Sequence, residues 1–238
     1  MNFPEIIQIS EILSGKGVYL FVWYALSFTL LATVFNRSKL LKTFKKDTIS
    51  VPVYFALFFT LLFFIPFIYL LIIKANTTDL FSLGLSPGKI RTGMTITIIG
   101  IPISILVAYS GIKQTKSFYP FSKSSLFNIK NFLFIEFLYL IFYYTAWEFT
   151  FRGFFQGFIT SSLPTFNGIV IGITIQTIIS VLYHLGHPDN EIFGALFGGI
   201  IFGSITYYTQ SILYAVILHS ILGISTDSII YIQTKKQK

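Results

Sequence analysis

The chain contains no cysteine. Disulfides, thiolate metal ligands and a cysteine nucleophile are therefore excluded. Charge is also scarce. Only 11% of the 238 residues are Asp, Glu, Lys or Arg, against about a quarter in a soluble domain, which excludes a soluble globular fold. Nine acidic residues stand against 17 Lys and Arg, and there are three His, so any chemistry must draw on a short list of side chains. The formal charge of +8 does not point to nucleic acid. The basic residues sit in short connections between apolar runs, where they act as topology signals. The H-E-x-x-H helix is absent, and no internal repeat suggests an inverted-repeat transporter.

What is abundant is apolar. The composition is 54% hydrophobic, with 28 Phe and 14 Tyr, in runs long enough to cross a bilayer as helices. The expected fold is an all-α polytopic membrane helix bundle of about seven spans. These fall near residues 17–35, 51–73 (kinked at Pro66), 93–110, 131–159, 169–185, 192–208 and 212–232. Turn signals separate them at Ser86-Pro87-Gly88 and at Pro164 with Asn167-Gly168. Residues 1–130 read as three flanking spans, 131–232 as a four-span core and 233–238 as a basic tail. The N-terminal stretch, with Glu5 and Glu11, does not read as a cleavable signal peptide. Abundant Phe, Ile, Tyr, Asn and Lys suits a bacterial plasma membrane protein.

Basic residues cluster after alternate spans. Arg37, Lys39, Lys42, Lys45 and Lys46 follow the first, Lys113, Lys116, Lys123 and Lys130 the third, and Lys235, Lys236 and Lys238 the last. Lys16, Lys74, Lys89 and Arg91 are on the other side. The bias predicts an external N-terminus and a cytoplasmic C-terminus.

The stretch Tyr143–Gly157 carries Glu148 and Arg152 inside the fourth apolar run. Four residues apart, they share one helix face, and Tyr144 and Gln156 extend the column. Each charge disfavours insertion by about 2.5–3.5 kcal/mol, so both should face a bundle interior. The later spans present matching faces: Gln176, Ser180 and His184; Glu191, Ala195, Gly199 and Gly203; and His219, Gly223 and Asp227. Small residues every four positions allow close helix approach. From the turn at Pro164, Glu148 lies about 24 Å and His184 about 30 Å along antiparallel helices, so the two come near one depth.

These residues suit two chemistries and one structural role. A carboxylate at depth can act as general base toward water, with imidazoles orienting the water or donating to an oxyanion. Glu148, His184 and His219 also have the make-up of a two-His, one-carboxylate zinc site. Glu148 and Arg152 equally suit a structural ion pair. Read this way, His187 is interfacial, Glu136 reaches toward the headgroups, and Asp227 caps or pairs within the bundle.

Three motifs in order carry a family resemblance: E-x-x-x-R-G at Glu148–Gly153, H-x-x-x-x-x-x-E at His184–Glu191, and S-I-x-x-x-x-x-x-H at Ser211–His219. Over about residues 132–230 the chain resembles the CPBP intramembrane proteases, which include the type II CAAX prenyl endopeptidases and bacterial Abi proteins linked to bacteriocin immunity. The resemblance implies an intramembrane endopeptidase with Glu148 as base, His184 orienting the water, His219 stabilising the oxyanion and Arg152 fixing Glu148. The partners implied are the bilayer and a peptide or protein substrate, with no nucleic acid. No cofactor is needed in the glutamate–water reading; zinc on Glu148, His184 and His219 is the alternative. The chain departs from the family pattern at Trp147, where a first Glu is usual, at Ser180 in place of Phe, and at Gly223 in place of Asn. Asp227 is a candidate compensating residue. The rival readings are a non-catalytic immunity or peptide-binding protein of the same fold, and a transporter.

Overall fold

The computed structural model describes residues 11–73, 77–163 and 165–237. Pro164, Lys74 and Lys238, and the acidic N-terminal stretch with Glu5, lie outside them. Among the described residues the structure is helical, without strands. The helices are α1 (Glu11–Ala32), α2 (Arg37–Phe44), α3 (Asp47–Ile72), α4 (Thr77–Ser82), α5 (Ile90–Thr115), α6 (Ile129–Ser162), α7 (Phe166–Tyr183), α8 (Asp189–Thr209) and α9 (Leu213–Lys236).

Among the described residues six helices, α3 and α5 to α9, are long and apolar enough to span a membrane. The expected first span differs: Gly17–Ala32 qualifies only together with α2, across a 50° bend. The reason is local. Asn36 caps α2 by accepting from the Lys39 amide, and its amide side chain donates back to the carbonyls of Ala32 and Thr33. That arrangement ends one helix and starts the next at an angle. Outward-facing apolar side chains such as Val22, Ile98, Leu106, Phe134 and Phe197 are well exposed, as lipid contact requires.

The interior is aromatic. Tyr24, Phe55, Phe58, Tyr143, Trp147, Phe151 and Phe154 are buried in one cluster joining α1, α3 and α6. Phe55 stacks on Tyr139 and Phe58 on Tyr143, with centroids 5.0 and 4.3 Å apart. Aromatic pairs at such distances contribute about 0.5–1.5 kcal/mol each beyond their area.

Pro66 acts through the hydrogen-bond ladder. Its missing N–H frees the carbonyl of Leu62, four residues earlier, where α3 passes through a π-helical turn at Thr60–Phe64. Two side chains satisfy that carbonyl: Tyr24 donates from α1 at 3.2 Å and Thr150 from α6 at 3.1 Å. The Trp23 indole donates to the neighbouring Leu61 carbonyl at 2.8 Å. This π-helical turn thereby ties α1 and α3 to α6.

The linker after α4 is pinned as well. Lys89 N–H donates to the Thr209 carbonyl at 2.7 Å, Ile212 N–H to Gly84, and the Tyr214 hydroxyl to Pro87. Gly88 has φ +56°, and a Cβ there would overlap the Thr209 carbonyl, so this position needs glycine. As a result α5 lies along α9.

Candidate active site

The helix α6 is the organising element, and it is not a plain α-helix. Two segments, Tyr139–Tyr144 and Phe149–Gln156, are π-helical. Such turns are rare overall and frequent at functional sites. Glu148 sits between them, at the end of a single α-turn, Thr145–Glu148. The expected polar column remains: Tyr144, Glu148, Arg152 and Gln156 are all buried and face α8 and α9.

Glu148 has no exposed surface and uses both carboxylate oxygens. Oε1 accepts from His219 Nδ1 at 2.6 Å, and Oε2 lies 3.2 Å from Arg152 Nε. Arg152 also reaches the Gly198 carbonyl with Nη2 at 3.5 Å and lies 5.6 Å from the Phe202 ring centroid. Phe202 in turn stacks under His219 at 5.4 Å. The small faces of α7 and α8 allow this approach. A Cβ on Gly199 would meet Thr177, and one on Gly203 would meet Gln156 and Gln176.

His184 lies just beyond the end of α7. Its Nδ1 donates to the Ser180 carbonyl at 2.7 Å, which leaves Nε2 as the acceptor. Burial pushes its pKa down to about 4, and the neighbouring His187, His219 and Arg152 act in the same direction. His184 is therefore neutral at physiological pH. It makes no hydrogen bond to Glu148 or His219. Trp147 connects the two imidazoles, with its ring 5.1 Å from His184 and 6.4 Å from His219, edge-on to both. The buried Trp147 Nε1 has no hydrogen-bond partner.

Zinc was the alternative use of Glu148, His184 and His219. Among the described residues no three His, Asp or Glu side chains converge closely enough to hold a metal ion. The donor set does not fit the metal.

Asp227 stands apart from this centre. Its carboxyl is buried, as is that of Glu136 on α6. Asp227 makes no hydrogen bond to Glu148, His184 or His219. His187 and Glu191 pair with each other at 2.8 Å, and the Tyr119 hydroxyl donates to the same Glu191 oxygen at 3.1 Å. This keeps Glu191 away from Glu148.

Gly223 has a direct steric reason. A Cβ there would overlap the Tyr144 hydroxyl, and the Tyr144 ring lies 4.7 Å from His219. Tyr144 fills the space a longer side chain would need. Gly223→Ala should therefore destabilise the bundle by about 1–3 kcal/mol, the usual cost of overpacking, and adding Tyr144→Phe should recover part of that loss. Thermal unfolding in detergent measures both. A Gly223→Ala protein as stable as the parent would refute this packing account.

The fold and this centre define a polytopic helix bundle with a buried Glu–Arg–His cluster at its core. Residues 129–224 match the family model of the Rce1-like type II CAAX prenyl endopeptidases. This segment is similar to that family, within the CPBP class that the three motifs resemble. No curated protein and no solved structure matches the chain. The match begins at the start of α6 and ends twelve residues into α9. It contains Glu148, Arg152, His184 and His219 and stops short of Asp227.

Proposed function

We propose that the protein is an intramembrane endopeptidase that hydrolyses a peptide bond at membrane depth with water activated by Glu148, His219 and His184. The observation that carries this is the 2.6 Å bond between Glu148 and His219, made inside the bundle by two residues at motif positions. The sequence assigns the proton transfer to Glu148 directly and the oxyanion to His219. The geometry favours another division. Both Glu148 oxygens are engaged, whereas His219 is 20% exposed and donates through Nδ1, so its Nε2 carries the free lone pair.

In this reading water gives a proton to His219 Nε2 as its oxygen attacks the scissile carbonyl. Glu148 fixes the tautomer and stabilises the imidazolium, as a carboxylate does for a histidine base. The proton then passes to the leaving amine as the C–N bond breaks. Neutral His184 accepts the second water hydrogen through Nε2. The unpartnered Trp147 N–H is a donor available to the developing oxyanion, which gives a role to the residue at the family's first Glu position. Arg152 pairs with Glu148 and holds it in place. The basic connections would face the cytoplasm of a bacterial plasma membrane, and the substrate would be a membrane-inserted peptide or protein.

The purified protein in liposomes is expected to cleave membrane-spanning peptides at a rate that a strong chelator leaves unchanged. Absence of cleavage across a diverse membrane-peptide library would count against the enzyme. A rate abolished by chelation and restored by zinc would replace this mechanism with a metal one.

A further inference from the structure

A second polar feature approaches the same centre from the other end of α6. A narrow cleft opens beside the α6–α7 and α8–α9 turns, lined among others by Arg152, Gln156, Thr160, Thr206, Tyr207 and Gln210. This is the end of the bundle opposite to His184 and to the basic connections. Five of these residues bring polar atoms that have no hydrogen-bond partner: Arg152 Nη1, Gln156 Oε1, Thr160 Oγ1, Thr206 Oγ1 and the Tyr207 hydroxyl. Arg152, Gln156, Thr160 and Thr206 are each more than nine-tenths buried.

Unsatisfied polar groups inside a membrane bundle cost several kcal/mol each. Five along one cleft require a ligand that both donates and accepts. Arg152 offers only donors and Gln156 Oε1 only an acceptor, while the hydroxyls offer both. Size then decides the class. The cleft has a volume of about 40 Å³. A water molecule needs roughly 10–15 Å³ by this measure, so a short file of about three waters fits and a peptide strand does not.

We propose that this cleft is a water-binding channel that leads past Arg152 and supplies the hydrolytic water to the Glu148–His219 centre from the face opposite the basic connections. The inference rests on the hydrolytic reading for the use of the water, but not for its presence. The separation has a physical reason. A substrate lying over His184 and His219 blocks entry from that side, and a hydrolase buried in lipid still needs one water per turnover.

The absence of cysteine makes the test clean. Single cysteines at Thr160 and Thr206 are titrated with silver ion, a water-sized thiol probe, in intact cells and in inverted vesicles. Protection from later alkylation is the readout. Ser162→Cys and Lys45→Cys report the two sides, and Ala215→Cys, fully buried, reports dry core. Thr160→Cys and Thr206→Cys should react with silver from the Ser162 side, and Ala215→Cys from neither. No reaction at both cleft positions, or reaction only from the Lys45 side, overturns the channel. Thr206→Phe, which fills the cleft, should lower kcat and leave KM unchanged. An unchanged kcat in a folded Thr206→Phe protein overturns water delivery. If the parent protein cleaves nothing, the hydrolytic reading and delivery fall together, while the silver result still decides water binding.

Discussion

Glu148→Gln is expected to lower peptide cleavage by about 10²–10⁴-fold while leaving folding and insertion intact. The substitution keeps the shape of the side chain and an oxygen that can accept from His219 Nδ1. It removes the negative charge that stabilises an imidazolium, and the amide can present its NH₂ instead, forcing His219 into the wrong tautomer. Loss of a comparable carboxylate beside a catalytic histidine costs about 10⁴-fold, and general-base contributions span about 10²–10⁴. Measured at saturating substrate, the loss should appear in kcat with little change in KM. Well-inserted Glu148→Gln protein with full activity would remove the carboxylate from the mechanism. It would favour a binding or immunity role for this fold.

His219→Ala should reduce turnover at least as severely, because it removes the proposed base and leaves Glu148 Oε1 without its 2.6 Å donor. His184→Ala should also lower kcat strongly by releasing the water from its second acceptor. Combining the two should cost little more than His219→Ala alone, since residues that act as a unit on one water are not additive. Multiplicative losses in the double variant would mean that His184 and His219 work in separate steps. His184 offers a further check through pH. With its pKa lowered to about 4 by burial, its protonation cannot produce an acid limb near pH 6. A limb there that persists in a His184→Gln protein retaining some activity belongs to another group, and one that disappears contradicts the neutral assignment of His184.

The apolar runs and sparse charge were enough to read a helical membrane bundle, and most span positions agree with the helices within a few residues. Hydropathy is a local property of each segment, and the bilayer demands little else of a helix. The four-residue spacing of Tyr144, Glu148, Arg152 and Gln156 likewise identified the buried face of α6. Ordered motifs marked Glu148, Arg152, His184 and His219, because catalytic residue types at membrane depth have few other reasons to be there. The bend at Asn36 was less legible, since a cap competes with hydropathy inside a run that looks continuous.

Which atom pairs with which depended on the tertiary structure. The sequence placed Asp227 on the same face as His219, eight residues on. Only the packing of the helices shows that its carboxyl is buried in the bundle, as is that of Glu136. The sequence left Gly223 as a departure from a family pattern, and the Tyr144 hydroxyl explains it. Trp147 was a mismatch until its ring was seen between two imidazoles with an unpartnered N–H. The choice of Nδ1 as donor in both His184 and His219 is set by the carbonyl or carboxylate that each ring meets, and the sequence does not encode it locally. The π-helical turns of α6 belong to the same class, since they depend on neighbours that take up the carbonyls displaced from a regular ladder. The sequence determined which side chains are buried in the membrane, while contacts between helices far apart in the chain decided their hydrogen bonds, and hence the proton each one holds.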